Sequence, residues 1–467
     1  MKALFAVLTL LPSLVTAGSY EIGEAMADAA FWSADPVLFV KRHQDSGFEF
    51  TSDRRGGADS RLDGGVTCFG LPVFETKVVF GTPGGVDRIE LMLFAKAGTE
   101  SFREFSDGAG KRFRQRIRLD KTIDRAGFAR ILEVVRTRLT PTGAKPGVPQ
   151  KVAGADASER RAEQTWTKSA LSAPASLAWA FRQDGKDVAT FEPGYVRLTV
   201  VAPNRTLPTK ATKAKGSKKI SDNVVRDPRG DVFIGEVPMV DQGQKGYCSV
   251  ATAERVLRYY GVDVDEHEIA QAAGTSPEEG TSTLAMKRSV EAIGRKYRLG
   301  TVVCYGDFEK SVESRIAGLG DEVKAYNKAA KKLKAAPITD DMYIRREGNT
   351  IFYSPAAVDK AMDAEVLKEM KVNGMQKSKY TRFMKDVRDQ VAKGVPLFWG
   401  VTLGIYPEPG IPQSGGGHMR LIVGYNDRQH EILYTDSWGA GHELKRMPAD
   451  WAWTISRCLL YMKPLVR

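Results

Sequence analysis

The stretch Val240-Asp-Gln-Gly-Gln-Lys-Gly-Tyr-Cys248-Ser-Val-Ala-Thr-Ala-Glu-Arg-Val-Leu-Arg-Tyr-Tyr-Gly261 decides the reading of the chain. A loop punctuated by Gly243 and Gly246 delivers a cysteine to the start of a helix. Val250, Ala253, Val256, Leu257 and Tyr260 then recur at three- and four-residue intervals, one buried stripe, and Gly261 follows as a terminator. A thiol at a helix N-terminus faces unpaired N–H groups and the positive end of the helix dipole, which favour the thiolate. The glycines let the loop fold back so that the amide of Gln242, six residues upstream, points at the sulfur. With the Cys248 backbone N–H, that amide makes an oxyanion hole.

A nucleophile needs a base, and the base needs an orienting partner. Both stand late in the chain. Gln413-Ser-Gly-Gly-Gly-His418-Met-Arg-Leu-Ile-Val-Gly-Tyr-Asn426 places a histidine at the entrance of an apolar strand. The next strand, Glu431-Ile-Leu-Tyr-Thr-Asp-Ser-Trp-Gly439, ends on Asp436, and a hairpin between the two sets Asp436 beside His418.

Gln-Gly with Cys six positions after Gln, a late Gly-His before a strand ending Val-Gly-Tyr, and then Asp-Ser-Trp-Gly together resemble a papain-like cysteine peptidase. Gly415-Gly416-Gly417-His418, Gly424-Tyr425, the Tyr-Tyr-Gly helix end and an Asp where papain has Asn are closer to the bacteriocin-processing, double-glycine-leader branch. The resemblance covers roughly residues 235–467. It implies Cys248 as nucleophile, His418 as base, Asp436 as its orienter and Gln242 as oxyanion donor, acting on a peptide or protein substrate with cleavage after small residues. Ser249 departs from the Trp or Gly that follows the nucleophile in those relatives, and Gln244 is a second glutamine in the loop. Two other classes share these residues: a transglutaminase- or amidase-like acyl-transfer enzyme on the same fold, and an inactive peptide-binding module.

The implied fold class is α+β. A helical lobe carrying Cys248 and an antiparallel β lobe carrying His418 and Asp436 follow a separate α+β N-terminal domain. Residues 1–17 combine a basic start, a short apolar run and a Val-Thr-Ala exit, the pattern of a secretory signal, so the mature protein is expected to be exported. Residues 18–202 form the first domain, of no evident role. Strand-like runs occur there at Val66–Phe80, Val86–Phe94, Phe113–Leu119 and Tyr195–Val201, and helical periodicity at Arg125–Leu139 and from Ala157 to about Ser172. Its Gly108-Ala-Gly-Lys111 lacks both the first glycine and the Ser or Thr of a phosphate loop, so no nucleotide site is expected.

Residues 203–230, mixed in Pro, Thr, Lys and Gly, suggest a solvated basic linker. Residues 231–467 make the peptidase domain. Helices are expected there from Asp265 to near Gly274 and from Thr281 or Ser282 to Gly294, before a strand Gly300–Tyr305. A lysine-rich insertion, 306–392, carries helices at Asp321–Leu333, Ser354–Met370 and Tyr380–Lys393, and the strand Val395–Leu403 follows.

The formal net charge of +12 comes mainly from lysines in the linker and insertion. Without an aromatic-interleaved basic motif it fits a solvated face or an acidic envelope partner, not DNA or RNA. No apolar run is long enough to span a membrane. No cofactor is implied, and no Cys or His spacing suits a metal. With Cys248 as free nucleophile, Cys68, Cys304 and Cys458 allow at most one bridge and are expected to be mostly buried and reduced.

Overall fold

The computed structural model describes residues 20–50, 57–61, 65–81, 84–95, 100–106, 112–118, 123–145, 147–152, 158–207, 220–240, 242, 248–262, 264, 269, 287, 290–291, 294–295, 297–306, 312–348, 350–409, 416–439 and 441–465. The signal-like residues 1–17, the fragment 108–111, Gln244, Gly415 and most of the two helices expected between Asp265 and Gly294 lie outside the described residues. The chain divides into two compact units, Met1–Thr209 and Lys210–Arg467.

In the first unit an eight-stranded antiparallel sheet runs in the spatial order Gln150–Val152, Glu159–Trp166, Ala175–Arg182, Glu192–Val201, Val86–Ala95, Glu75–Phe80, Gly57–Arg61 and Glu49–Phe50. The helix Arg125–Leu139 buries Phe128, Val135 and Leu139 in the same core as Leu177, Val196 and Leu198 of the sheet. Asp124 caps it by accepting from the Gly127 N–H at 2.8 Å.

The helix expected from Ala157 to Ser172 is instead the strand Glu159–Trp166. Its Glu, Arg, Ala and Gln residues favour a helix by only tenths of a kcal/mol each, whereas pairing along Ala175–Arg182 and Gln150–Val152 satisfies backbone groups on both edges. The run Val66–Phe80 is three strands, because Phe69 and Gly70 turn the chain at φ of 55° and 74°.

The second unit is organised on a mixed-length antiparallel sheet in the order Val224–Arg226, Asp231–Ile234, Gly416–Asn426, Leu397–Leu403, Ser456–Pro464 and Leu299–Tyr305. Glu431–Thr435 also pairs with Gly416–Asn426, and Lys445–Pro448 pairs in turn with Glu431–Thr435. The strand Gly416–Asn426 is buried from His418 onward, and the helix Cys248–Tyr259 packs on it. Mixed helix and antiparallel strand make the unit α+β.

Residues 220–230 are not linker. Val224–Arg226 is a strand of this sheet and Ile220 is fully buried. The Tyr259 hydroxyl, at the end of the Cys248 helix, lies 3.2 Å from the Ile220 carbonyl and 2.9 Å from that of Gly394.

The region 306–392 is less purely helical than its composition implies. After the helix Val312–Leu333 comes a hairpin, Ile344–Glu347 with Thr350–Tyr353, turning at Gly348 with φ of 57°. The helix expected over Ser354–Met370 breaks into Pro355–Ala361 and Ala364–Lys368, because the Asp363 carboxylate turns back to accept from the Glu365 and Val366 N–H groups. A π-helical turn, Glu369–Asn373, leads to the helix Lys377–Val391. In that turn the buried Lys371 ammonium donates to the Thr454 and Ser456 carbonyls at 2.7 and 2.9 Å, tying the region to the sheet.

All four cysteines are unbridged; Cys68 and Cys458 are buried, whereas Cys304 is half-buried. Among the described residues no helix is long and apolar enough to cross a membrane.

The turn at Gly394 supplies a stability test. Its φ is 73°, and a Cβ there would stand 2.1 Å from the Ile220 carbonyl oxygen, a backbone atom that cannot swing aside. Gly394→Ala should cost about 1–3 kcal/mol in denaturant unfolding. Gly320→Ala, in a helix with open space around it, should be neutral or mildly stabilising.

Candidate active site

Cys248 is the first residue of the helix Cys248–Tyr259 and is half-buried. The opposing wall is the strand Gly416–Asn426. His418 sits opposite Val401 in the neighbouring strand Leu397–Leu403, so its position on the sheet is fixed by register. Asp436 follows the strand Glu431–Thr435, which pairs Leu421 with Thr435. The hairpin therefore sets Asp436 against His418 and Arg420, which share one strand face because they are two residues apart.

His418 joins the other two. Its Nε2 lies 3.0 Å from Asp436 Oδ1, and the remaining ring nitrogen serves the hydrogen bond to Cys248. An ionised carboxylate can only accept, so Nε2 carries the proton toward Asp436. The Cys248 sulfur is also supported by the Met419 backbone N–H and the Ser249 hydroxyl. Trp438 lies flat on the imidazole, with ring centroids 4.2 Å apart and planes at 9°, covering the His418–Asp436 contact.

The electrostatics favour the charged form of each of the three groups. Burial pushes the Cys248 thiol up, but the hydrogen bond and charge of His418 outweigh it, and the net direction is down. Burial likewise opposes protonation of His418, but Asp436 and Cys248 together raise its pKa above the ordinary imidazole value. For Asp436, burial is overcome by His418 and Arg420, and its carboxyl falls below the usual range. Opposite charges within hydrogen-bond reach, in a largely buried site that screens them weakly, produce all three directions.

Gln242 is buried, and its backbone N–H donates to the Ser437 carbonyl at 2.8 Å, next to Asp436. Its side-chain oxygen has no hydrogen-bond partner among the described residues.

Two arginines complete the surroundings without a sequence expectation to announce them. Arg255, on the same helix as Cys248 and 1% exposed, donates to the Asp436 carbonyl at 2.7 Å, to Thr435 Oγ1 at 2.6 Å and to the Pro238 carbonyl at 2.8 Å. It therefore locks the Asp436 segment and the chain before Gln242 onto one helix. Arg420, fully buried, donates from Nε to Asp436 Oδ1 at 2.7 Å. The signal for both was present: each is a cation on the buried face that carries a site residue, Arg255 seven positions after Cys248 and Arg420 two after His418.

The family model described as "Peptidase_C39 like family" matches residues 234–325 and 315–459. No curated protein matches the chain. Among solved structures, xylellain, a cysteine protease from Xylella fastidiosa, matches at 14% identity and a TM-score of 0.24, over 56% of this chain and 100% of that one. The family match runs from 234 to 459, nearly the whole of the second unit, and identifies that stretch as a C39-like cysteine peptidase domain.

Proposed function

We propose that the peptidase works through a Cys248–His418–Asp436 triad with Gln242 as an oxyanion donor. One observation carries this reading: a single imidazole interacts with the Cys248 sulfur on one side and with Asp436 Oδ1, at 3.0 Å, on the other. The Cys248 thiolate attacks a peptide carbonyl, and the Gln242 amide with the Cys248 N–H stabilises the oxyanion. The His418 imidazolium gives its proton to the leaving amine, and a thioester remains on Cys248. The now neutral imidazole takes a proton from water, whose oxygen attacks the thioester; collapse returns the thiolate–imidazolium pair and releases a carboxylate. Asp436 holds the imidazole in its tautomer, and Trp438 keeps water from that contact.

The glycine-rich approach to His418 and the family likeness support a peptide substrate ending in small residues at the cut, as in double-glycine leader processing. Transglutaminase- or amidase-like acyl transfer would begin with the same thioester and differ in the group that resolves it.

A neutral thiol-reactive electrophile, applied from about pH 4 to about pH 9, should label Cys248 selectively well below the ordinary thiol pKa of ~8.5. Burial pushes Cys304 and Cys458 each up to about 12 and raises Cys68 as well, so those three should remain unlabelled under native conditions. His418→Ala should abolish the low-pH labelling; a Cys248 that reacts like an ordinary thiol in both proteins sinks the triad. Against a peptide library rich in Gly-Gly and Gly-Ala steps, the products should carry new carboxyl termini. Loss of the His418 imidazole should slow cleavage by about 10²–10⁴-fold. Released ammonia or isopeptide-linked products would instead assign the alternative acyl-transfer chemistry.

A further inference from the structure

Asp436 does not face His418 alone. The oxygen that takes the imidazole Nε2 at 3.0 Å, Oδ1, also takes Arg420 Nε at 2.7 Å, while Oδ2 is buried with no hydrogen-bond partner among the described residues. The other end of the guanidinium is held as well: Nη1 donates to Glu408 Oε1 at 3.0 Å, and the second oxygen of Glu408 accepts from the Tyr434 hydroxyl. The Tyr434 ring lies 4.7 Å beneath the guanidinium and the Trp399 ring 5.8 Å from it. Nη2 is buried without a hydrogen-bond partner among the described residues, but the bonds at Nε and Nη1 and the exclusion of solvent hold the guanidinium on its carboxylate.

The geometry points to Arg420, clamped between Asp436 and Glu408, as a positioning residue of the reaction: it aims Asp436 Oδ1 at the imidazole and offsets the carboxylate's charge, and so sets the pH window in which Cys248 and His418 coexist as an ion pair. The inference rests on the triad reading above. Other charged or titratable groups act on the same cluster: Cys248 and Arg255 on the helix, Tyr434 on the strand, and Glu443 and Lys445 beyond Asp436. Arg420 donates directly to the Asp436 carboxylate, whereas the Arg255 hydrogen bonds to that residue go to its backbone carbonyl.

The sign follows from charge. Removing Arg420 leaves the full negative charge of Asp436 on the imidazolium, which then holds its proton to higher pH. Neutralising Glu408 has the opposite effect, because the Arg420 charge is no longer shared and bears more fully on Asp436. A residue that merely fills space cannot produce shifts of opposite sign from its two ends.

The test uses the full chain and a small anionic alkylating agent, whose reaction with Cys248 needs both the thiolate and the attracting imidazolium, so its rate against pH is bell-shaped. Arg420→Met should move the alkaline limb up by about one pH unit, Glu408→Gln should move it down, and Arg420→Lys, which keeps the charge, should stay close to the unmodified protein. Should Arg420→Met fail to fold, Glu408→Gln decides alone: a downward shift supports the assignment, and no shift or an upward one overturns it. Variants that lose rate at every pH while both limbs stay in place also overturn it, and reduce Arg420 to packing. An unmodified protein without a His418-dependent bell overturns the triad itself, a result distinct from an intact bell that the variants leave unmoved.

Discussion

The site depends on one buried negative charge. Asp436 is fully excluded from solvent, and a carboxylate in that position costs several kcal/mol unless cations and donors surround it. His418 and Arg420 share its Oδ1, and Arg255 fixes its backbone from the helix that carries Cys248. Thus the requirement to satisfy Asp436 also brings the Cys248 helix, the His418 strand and the Ser437 segment that receives the Gln242 N–H into one arrangement. Breaking one member of such a buried set typically costs about 3–5 kcal/mol, because the surviving charges remain buried without compensation.

The same constraint explains how the sheet is used. Gly416–Asn426 is bordered by Leu397–Leu403 on one edge and by Glu431–Thr435 on the other, so neither His418 nor Arg420 can slip by a residue without reversing the facing of the whole strand. The region 306–392 is likewise tied down: it has its own core around Val323, Tyr326, Val358 and Met370, and Lys371 reaches from it to the end of the helix Ala449–Ile455. Burial lowers the Lys371 ammonium to about 7, so this contact ties the fold of the unit to a cation that titrates near neutrality.

Much of the site could be read from the chain because its signals are local. Gly243 and Gly246 before Cys248, the helical stripe after it, the glycines before His418 and the turn between two apolar strands each need only a few neighbouring residues to interpret. What escaped was nonlocal. Arg255 and Arg420 are polar residues in apolar stripes, and their partners at Pro238, Glu408 and Thr435 stand far away in sequence. Glu159–Trp166 has a helix former's composition and became a strand through pairing on both edges, which no window of residues records. Val224–Arg226 was hidden in the same way, as a three-residue strand set by its pairing with the neighbour Asp231–Ile234.

The most direct measurement is the ultraviolet absorbance of the thiolate itself, followed through a pH titration of the resting protein, with Cys248→Ser as the blank. A preformed thiolate–imidazolium pair predicts a thiolate signal near neutral pH that disappears only on acidification well below the ordinary thiol range, and that His418→Ala displaces to alkaline pH. A signal that rises only above about pH 8, alike with and without the His418 imidazole, would show an ordinary thiol and contradict the ion pair on which the account rests.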